Sequence, residues 1–231
     1  MEKMNDLKDL LKHEIEDLYS VEEQIIAALP KMIEKANNPS LKEALSDHLK
    51  ETEQHKNRLD KIMKTVNPES NSNGKKGIFG GLFGGNKHVC KGMKGIIEEG
   101  ETIMNSDIAP EACDAAIIAS AQKVEHYEIC GYGTARTFAR ELGMEQVAKQ
   151  LEQTLNEEYA ADDLLTQLAV AGINVIAESG EAGASASSTG RSTGRVKEKA
   201  GREEMEMEPV SSSSTRSSGR STSSGGGSTR S

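Results

Sequence analysis

The sequence is poor in the residues that announce most specialised folds. Among 231 residues there is no tryptophan, with three phenylalanines and four tyrosines, so its apolar faces are written in aliphatic residues. Cysteine is equally sparse. Cys90, Cys113 and Cys130 are odd in number and lack CxxC spacing, which excludes a disulfide framework or a structural zinc site. A reducing cytoplasm is the simplest compartment, and Cys113 and Cys130 read as ordinary buried small hydrophobes. No run approaches ~18 consecutive apolar residues, so no membrane-spanning helix is expected. The first residues, Met1 to Lys12, lack the apolar core of a secretory signal.

What is present divides the chain. Residues 179–231 hold 16 Ser, 9 Gly and no aromatic residue, with 8 basic and 6 acidic side chains. A tandem Ser-Thr-Gly-Arg at 188–195 and a mixed-charge run up to Glu208 add no core-forming residues, so this tail is expected to be disordered. The other 178 residues carry 20 basic and 31 acidic side chains, so the net charge of −9 divides into −11 on residues 1–178 and +2 on the tail. An acidic body repels nucleic acid and anionic membrane, which leaves at most weak nucleic-acid contacts through the tail.

Helical periodicity fills the body. Leu7, Leu11, Leu18, Ile25, Leu29 and Met32 predict a helix over 5–36, with Asn5 or Asp6 capping its start and Pro30 inside it. Asn37-Asn38-Pro39-Ser40 reads as a turn, with Ser40 as N-cap and Glu43 at the capping-box spacing. Leu41, Leu45, Leu59 and Ile62 carry a second helix to about Val66. Residues 67–87 are rich in Asn, Ser and Gly and read as a crossover loop, in which Gly77 to Gly85 repeats a small apolar phrase around Phe79 and Phe83. A short helix follows from about His88 to Met104. A third long helix runs from Pro110 to about Leu142, where Gly143 ends it, and a fourth from Met144 to about Ala171. Two helical hairpins joined by a long crossover have the connectivity of a ferritin-like four-helix bundle, so the class is all-α.

Each apolar stripe is interrupted by acids. Glu22 breaks the first helix's stripe. The second runs through His48, Thr52 and His55, with Glu51 beside them. Glu125 and Glu128 lie between Ala121 and Tyr132 on the third, and Glu158 and Asp162 between Leu155 and Leu165 on the fourth. Counted from the two hairpin turns at about 1.5 Å per residue, these groups fall within roughly one turn of the same depth in each hairpin. Unpaired carboxylates in a bundle core each cost several kcal/mol, and no Lys or Arg occupies a matching position. Two divalent ions held by oxygen ligands and some imidazole answer that need, and the donor chemistry suits iron or manganese. His48 by itself reads as a core or boundary histidine bonded to a neighbour.

The same residues resemble the YciE/YciF family. Asp17-Leu18-Tyr19-Ser20-Val21-Glu22-Glu23-Gln24 with Ala28-Leu29-Pro30 looks like its first helix. His48-Leu49-Lys50-Glu51-Thr52 with Arg58-Leu59 resembles its second. Gln122 through Ile129 with Tyr132-Gly133-Thr134 resembles its third, and Leu155-Asn156-Glu157-Glu158 with Asp162 its fourth. That resemblance implies a rubrerythrin- and ferritin-like fold with a dinuclear metal site, an association with bacterial stress and at most a homodimer. By position it implies Glu22, Glu51, Glu125, Glu128 and Glu158 as ligands. The usual Glu-x-x-His is not met, because His55 and Asp162 stand four residues after Glu51 and Glu158. Tyr19, Tyr127 and Tyr132 are close enough in sequence to these acids to be hydrogen-bond partners.

The expected function is therefore a stress-response protein binding two iron or manganese ions, with oxidation of Fe(II) or reduction of oxygen or peroxide as the chemistry. The alternative is a non-catalytic bundle whose tail recruits a partner.

Overall fold

The computed structural model describes residues 4–66 and 88–179, and every regular element among them is helical. Helix α1 spans Leu7–Lys35, α2 Pro39–Val66, α3 Lys91–Met104, α4 Pro110–Glu141 and α5 Glu145–Leu168. A wider, π-type turn at Ala169–Ile173 continues α5 into a short α6, Asn174–Ser179. The expected crossover 67–87 and the tail lie outside the described residues, apart from Ser179, which ends α6.

The helix ends follow local chemistry. The Asp6 side chain accepts from the Asp9 amide and caps α1, as the sequence suggests. The cap of α2 differs from expectation. Asn38 Oδ1 accepts from Ser40 N at 2.9 Å and Leu41 N at 3.1 Å, so Asn38 is the cap and Ser40 is already helical. Pro39 explains the shift, because its fixed φ and missing donor suit the first helical position. Asp114 of α4 accepts from the amides of Asn37 and Asn38 at 2.6 and 2.9 Å, tying this turn to the neighbouring hairpin. Gly143, at φ 68°, takes the left-handed conformation between α4 and α5. Pro30 lies within α1, which continues to Lys35.

Helices α1 and α2 form one hairpin and α4 and α5 the other, and the two pack as an all-α ferritin-like four-helix bundle. The Leu18 side chain lies where a Cβ on Gly131 would come within 2.9 Å, so α1 and α4 approach closely there. Contacts from Asn37 to Asp114 and from Glu22 to Tyr132 show that α1 runs antiparallel to α4. Helix α2 therefore runs parallel to α4, as a long crossover requires. Helix α3 lies along α1, from Cys90 beside Ser20 to Glu101 beside Lys31, and returns the chain to the end where α4 begins.

The apolar core comes in two clusters. One gathers Ile25, Leu29, Leu41, Leu45, Ile117 and Leu165, and the other Leu11, Ile15, Leu59, Ile62, Tyr132 and Leu151. Between them lies a layer of buried polar side chains. The cysteines are free, and Cys130 is exposed rather than buried as expected, since it faces away from this core. The helix continuing from Glu145 to Ser179 is long and apolar enough by composition to cross a membrane, although no unbroken apolar run is present. Its earlier turns, through Val147, Leu151, Leu155 and Leu165, belong to the bundle core.

Candidate metal centre

The polar layer is assembled from all four bundle helices. Glu22 comes from α1, His48 and His55 from α2, Glu125 and Glu128 from α4, and Glu158 from α5, each buried. They enter the core because each stands on its helix's apolar stripe. His48 and His55 are seven residues apart, two turns on one face shared with Leu41, Leu45 and Leu59.

Two groups of donor atoms result. His48, Glu125, Glu128 and Glu158 each offer one atom, all within 4.8 Å of one another, and so do Glu22, His55 and Glu158. Glu158 belongs to both. Within them His48 Nε2 is 3.3 Å from Glu125 Oε1, and His55 Nδ1 is 2.8 Å from Glu158 Oε1 and 3.8 Å from Glu22 Oε1. The Tyr132 hydroxyl donates to Glu22. On the far edge of the His55 ring, Nε2 meets Glu157 Oε2 at 3.0 Å, and Arg58 holds that carboxylate at 2.7 Å while also bonding Thr154.

Four buried carboxyl groups face two imidazoles, so the acids of the layer outnumber the bases that could balance them. Burial pushes Glu22 up to about 8, with Glu158 adding to the rise and His55 and Tyr132 opposing it. Burial and the neighbouring acids hold Glu125 and Glu128 well above the carboxylate range. His55 is drawn down by burial, but Glu158, Glu22 and Glu157 outweigh it and raise the ring to about 8. Burial lowers His48 and so favours its neutral form, the form that ligates a metal. Glu22 Oε2, Glu125 Oε2, both oxygens of Glu128, Glu158 Oε2 and both nitrogens of His48 are buried without a hydrogen bond. Such orphaned acceptors cost several kcal/mol each unless a cation meets them. The donor set, carboxylate oxygens with two imidazoles, could hold a metal ion.

Five of the seven residues singled out in the sequence meet here: Glu22, His55, Glu125, Glu128 and Glu158. Glu51 does not. It is exposed and stands outside both groups. At 3.6 residues per turn it points about 70° away from the centre of the α2 stripe. Asp162 also stands outside them, because Gln122 donates to it at 3.1 Å and His126 approaches at 3.5 Å. His48, expected as a core or boundary histidine, is instead the α2 residue grouped with Glu125, Glu128 and Glu158. Its position on the stripe was the available signal. Of the tyrosines, Tyr132 bonds an acid of the layer. Tyr127 bonds Cys90 and Asp17, and Tyr19 lies under Lys56 and near Asp60.

Among the described residues, a cleft and a smaller cavity reach the layer. A cleft of about 540 Å³ opens between α2 and α5, and an apolar cavity of about 30 Å³ lies under α3 among Ile25, Leu29, Ile96, Met104 and Val124. His48 and Glu125 line both.

Comparison with known proteins agrees with this architecture. Residues 6–178 match the family described as a domain of unknown function, DUF892. Protein YciF of Escherichia coli K12 is 40% identical over 175 residues, covering 76% of this chain and 97% of YciF. The crystal structure of the E. coli stress protein YciF superposes with a TM-score of 0.63 at 40% identity, covering 74% of this chain and 99% of that one. YcfI of Rhodopseudomonas palustris gives 0.62 at 38% identity, covering 71% and 96%. A Xanthomonas campestris protein at 19% identity shares the fold, with a TM-score of 0.54 over 76% and 98% of the two chains. The chain belongs to the YciF family, its residues 6–178 forming the DUF892 domain.

Proposed function

We propose that this protein is a stress-response member of its family that binds two divalent ions, iron or manganese, in the core of the bundle. The observation that carries this reading is the set of orphaned, buried carboxylate oxygens from three helices facing two imidazoles. The relative at 40% identity is called a stress protein, which supports the physiological setting.

The residues divide the work. His48, Glu125, Glu128 and Glu158 would hold one ion, and Glu22, His55 and Glu158 the other. When bound, iron would supply electrons for reduction of oxygen or peroxide, which amounts to oxidation of Fe(II). The chain holds the donors rigid. Glu157, fixed by Arg58, receives the Nε2 proton of His55 and leaves Nδ1 as the ligating atom. Tyr132 orients Glu22 by its hydrogen bond, and two apolar clusters bound the layer above and below.

Anaerobic addition of Fe(II) to metal-free protein, followed by oxygen or peroxide, tests this. Saturation near two irons per chain and a ferric absorption band are expected. Tight binding without any oxidation would leave a structural metal site and remove the redox half of the reading.

A further inference from the structure

Helices α2 and α5 do not close over the polar layer. The cleft of about 540 Å³ between them has His48 and Glu125 among its inner lining, and Asp47, Glu51, Glu157 and Ala160 also line it. At the inner end, Glu125 is 2% exposed with Oε2 lacking a hydrogen bond, and neither nitrogen of His48 has one. The acids further out differ in their partners. Asp47 is held by Lys50 at 2.7 Å and Glu157 by Arg58 at 2.7 Å. Among the described residues Glu51 pairs with no Lys or Arg, and no Lys or Arg lines the cleft. The cavity under α3 also touches His48 and Glu125, but it holds only about 30 Å³ against 540 Å³ for the cleft and is otherwise mostly walled by apolar side chains, so a hydrated ion has little room and few oxygens there.

We propose that this cleft is the route by which a divalent cation passes from solvent to the buried layer, and that Glu51 captures the hydrated ion at its mouth. The inference rests on the metal reading above and assigns Glu51 a task outside the ligand set. A fixed negative charge at the opening of a low-dielectric cleft raises the local concentration of cations and the rate at which they enter. The ion then meets Glu125 and His48, which can replace its water one ligand at a time. Glu51 is thus a capture residue whose effect appears in the rate of loading rather than in the number of ions bound.

The test uses the full-length, metal-free chain and Co(II), whose visible absorption reports binding in stopped flow. At low ionic strength Glu51→Gln is expected to slow association about 3- to 10-fold. Ala160→Lys, which places a cation at an exposed cleft position, should slow it at least as much. Both differences should shrink at about 0.5 M salt, where the charges are screened. Glu141→Gln, the same loss of charge at the far end of α4, should load like the wild type. All four proteins should bind the same number of Co(II) ions at equilibrium. Wild-type rates in Glu51→Gln, with full stoichiometry, would overturn the route while leaving the metal site intact. Should Ala160→Lys not fold, Glu51→Gln decides alone. A wild type that binds no Co(II) would overturn both the route and the metal reading.

Discussion

His55 Nδ1 stands 2.8 Å from Glu158 Oε1, joining α2 to α5 in the middle of the bundle core. Both side chains are 1% exposed or less, and Glu158 is the carboxylate common to the two donor groups. The pair marks the point where the layer depends most on one residue.

Glu158→Gln should therefore lower divalent-metal affinity at both positions, by roughly 100-fold or more, beyond the usual cost of losing an outer partner. Glu51→Gln should leave the equilibrium affinity within about threefold of wild type, because its carboxylate lies outside both groups. Calorimetric titration with Mn(II) compares the two. Equal losses would restore Glu51 to the ligand set.

Glu157 is outside the donor groups yet fixes the ring that belongs to one of them. Glu157→Gln removes the charge that receives His55 Nε2 and pairs with Arg58. Metal affinity should fall about 10-fold, within the range for partners that orient a ligating histidine. The loss should be confined to one of the two ions in a Co(II) titration followed by absorption. A uniform loss at both would point to general loosening of the α2–α5 seam.

The metal-free protein should lose stability as pH rises. Glu22 and His55 each bind a proton more tightly in the folded chain, with values of about 8 against ordinary values of 4.5 and 6.5. Their stabilising contribution is complete below the unfolded values and is lost as pH passes through about 8. Glu125 and Glu128 act in the same direction, and His48, lowered by burial, acts against them. Thermal unfolding of the apo chain should occur about 5 °C or more higher near pH 5.5 than near pH 9. Saturating Mn(II) should reverse the order, because the ion replaces the protons and binds better once they leave.

Much of this site was legible in the sequence because a helix converts spacing into direction. Glu22, Glu125, Glu128, His55 and Glu158 stand on their stripes, and the hairpin turns set their depth. The same rule placed the helices of the bundle. It blurred at the edge of a stripe, where one position of rotation separates the core from the rim. Glu51 and His48 lie three residues apart on α2, yet His48 shares the stripe of Leu41, Leu45 and Leu59 while Glu51 stands about 70° from its centre, at the exposed rim. Asp162 has the spacing of a core residue, but Gln122 and His126, forty and thirty-six positions away in sequence, engage it at the α4–α5 seam. The cap of α2 moved from Ser40 to Asn38 for a local reason, since Pro39 takes the first helical position. The clamp of Arg58 on Glu157 and the cleft between α2 and α5 have no periodic signature. Both depend on how two helices from different hairpins meet.

The orphaned acids of the layer are proposed to hold two divalent ions. Metal analysis of the full chain after anaerobic loading with Fe(II) or Mn(II) and removal of the excess tests it most directly. About two ions per wild-type chain are expected, with Glu158→Gln retaining one or none. A wild-type chain that holds no stoichiometric metal under those conditions would contradict the account.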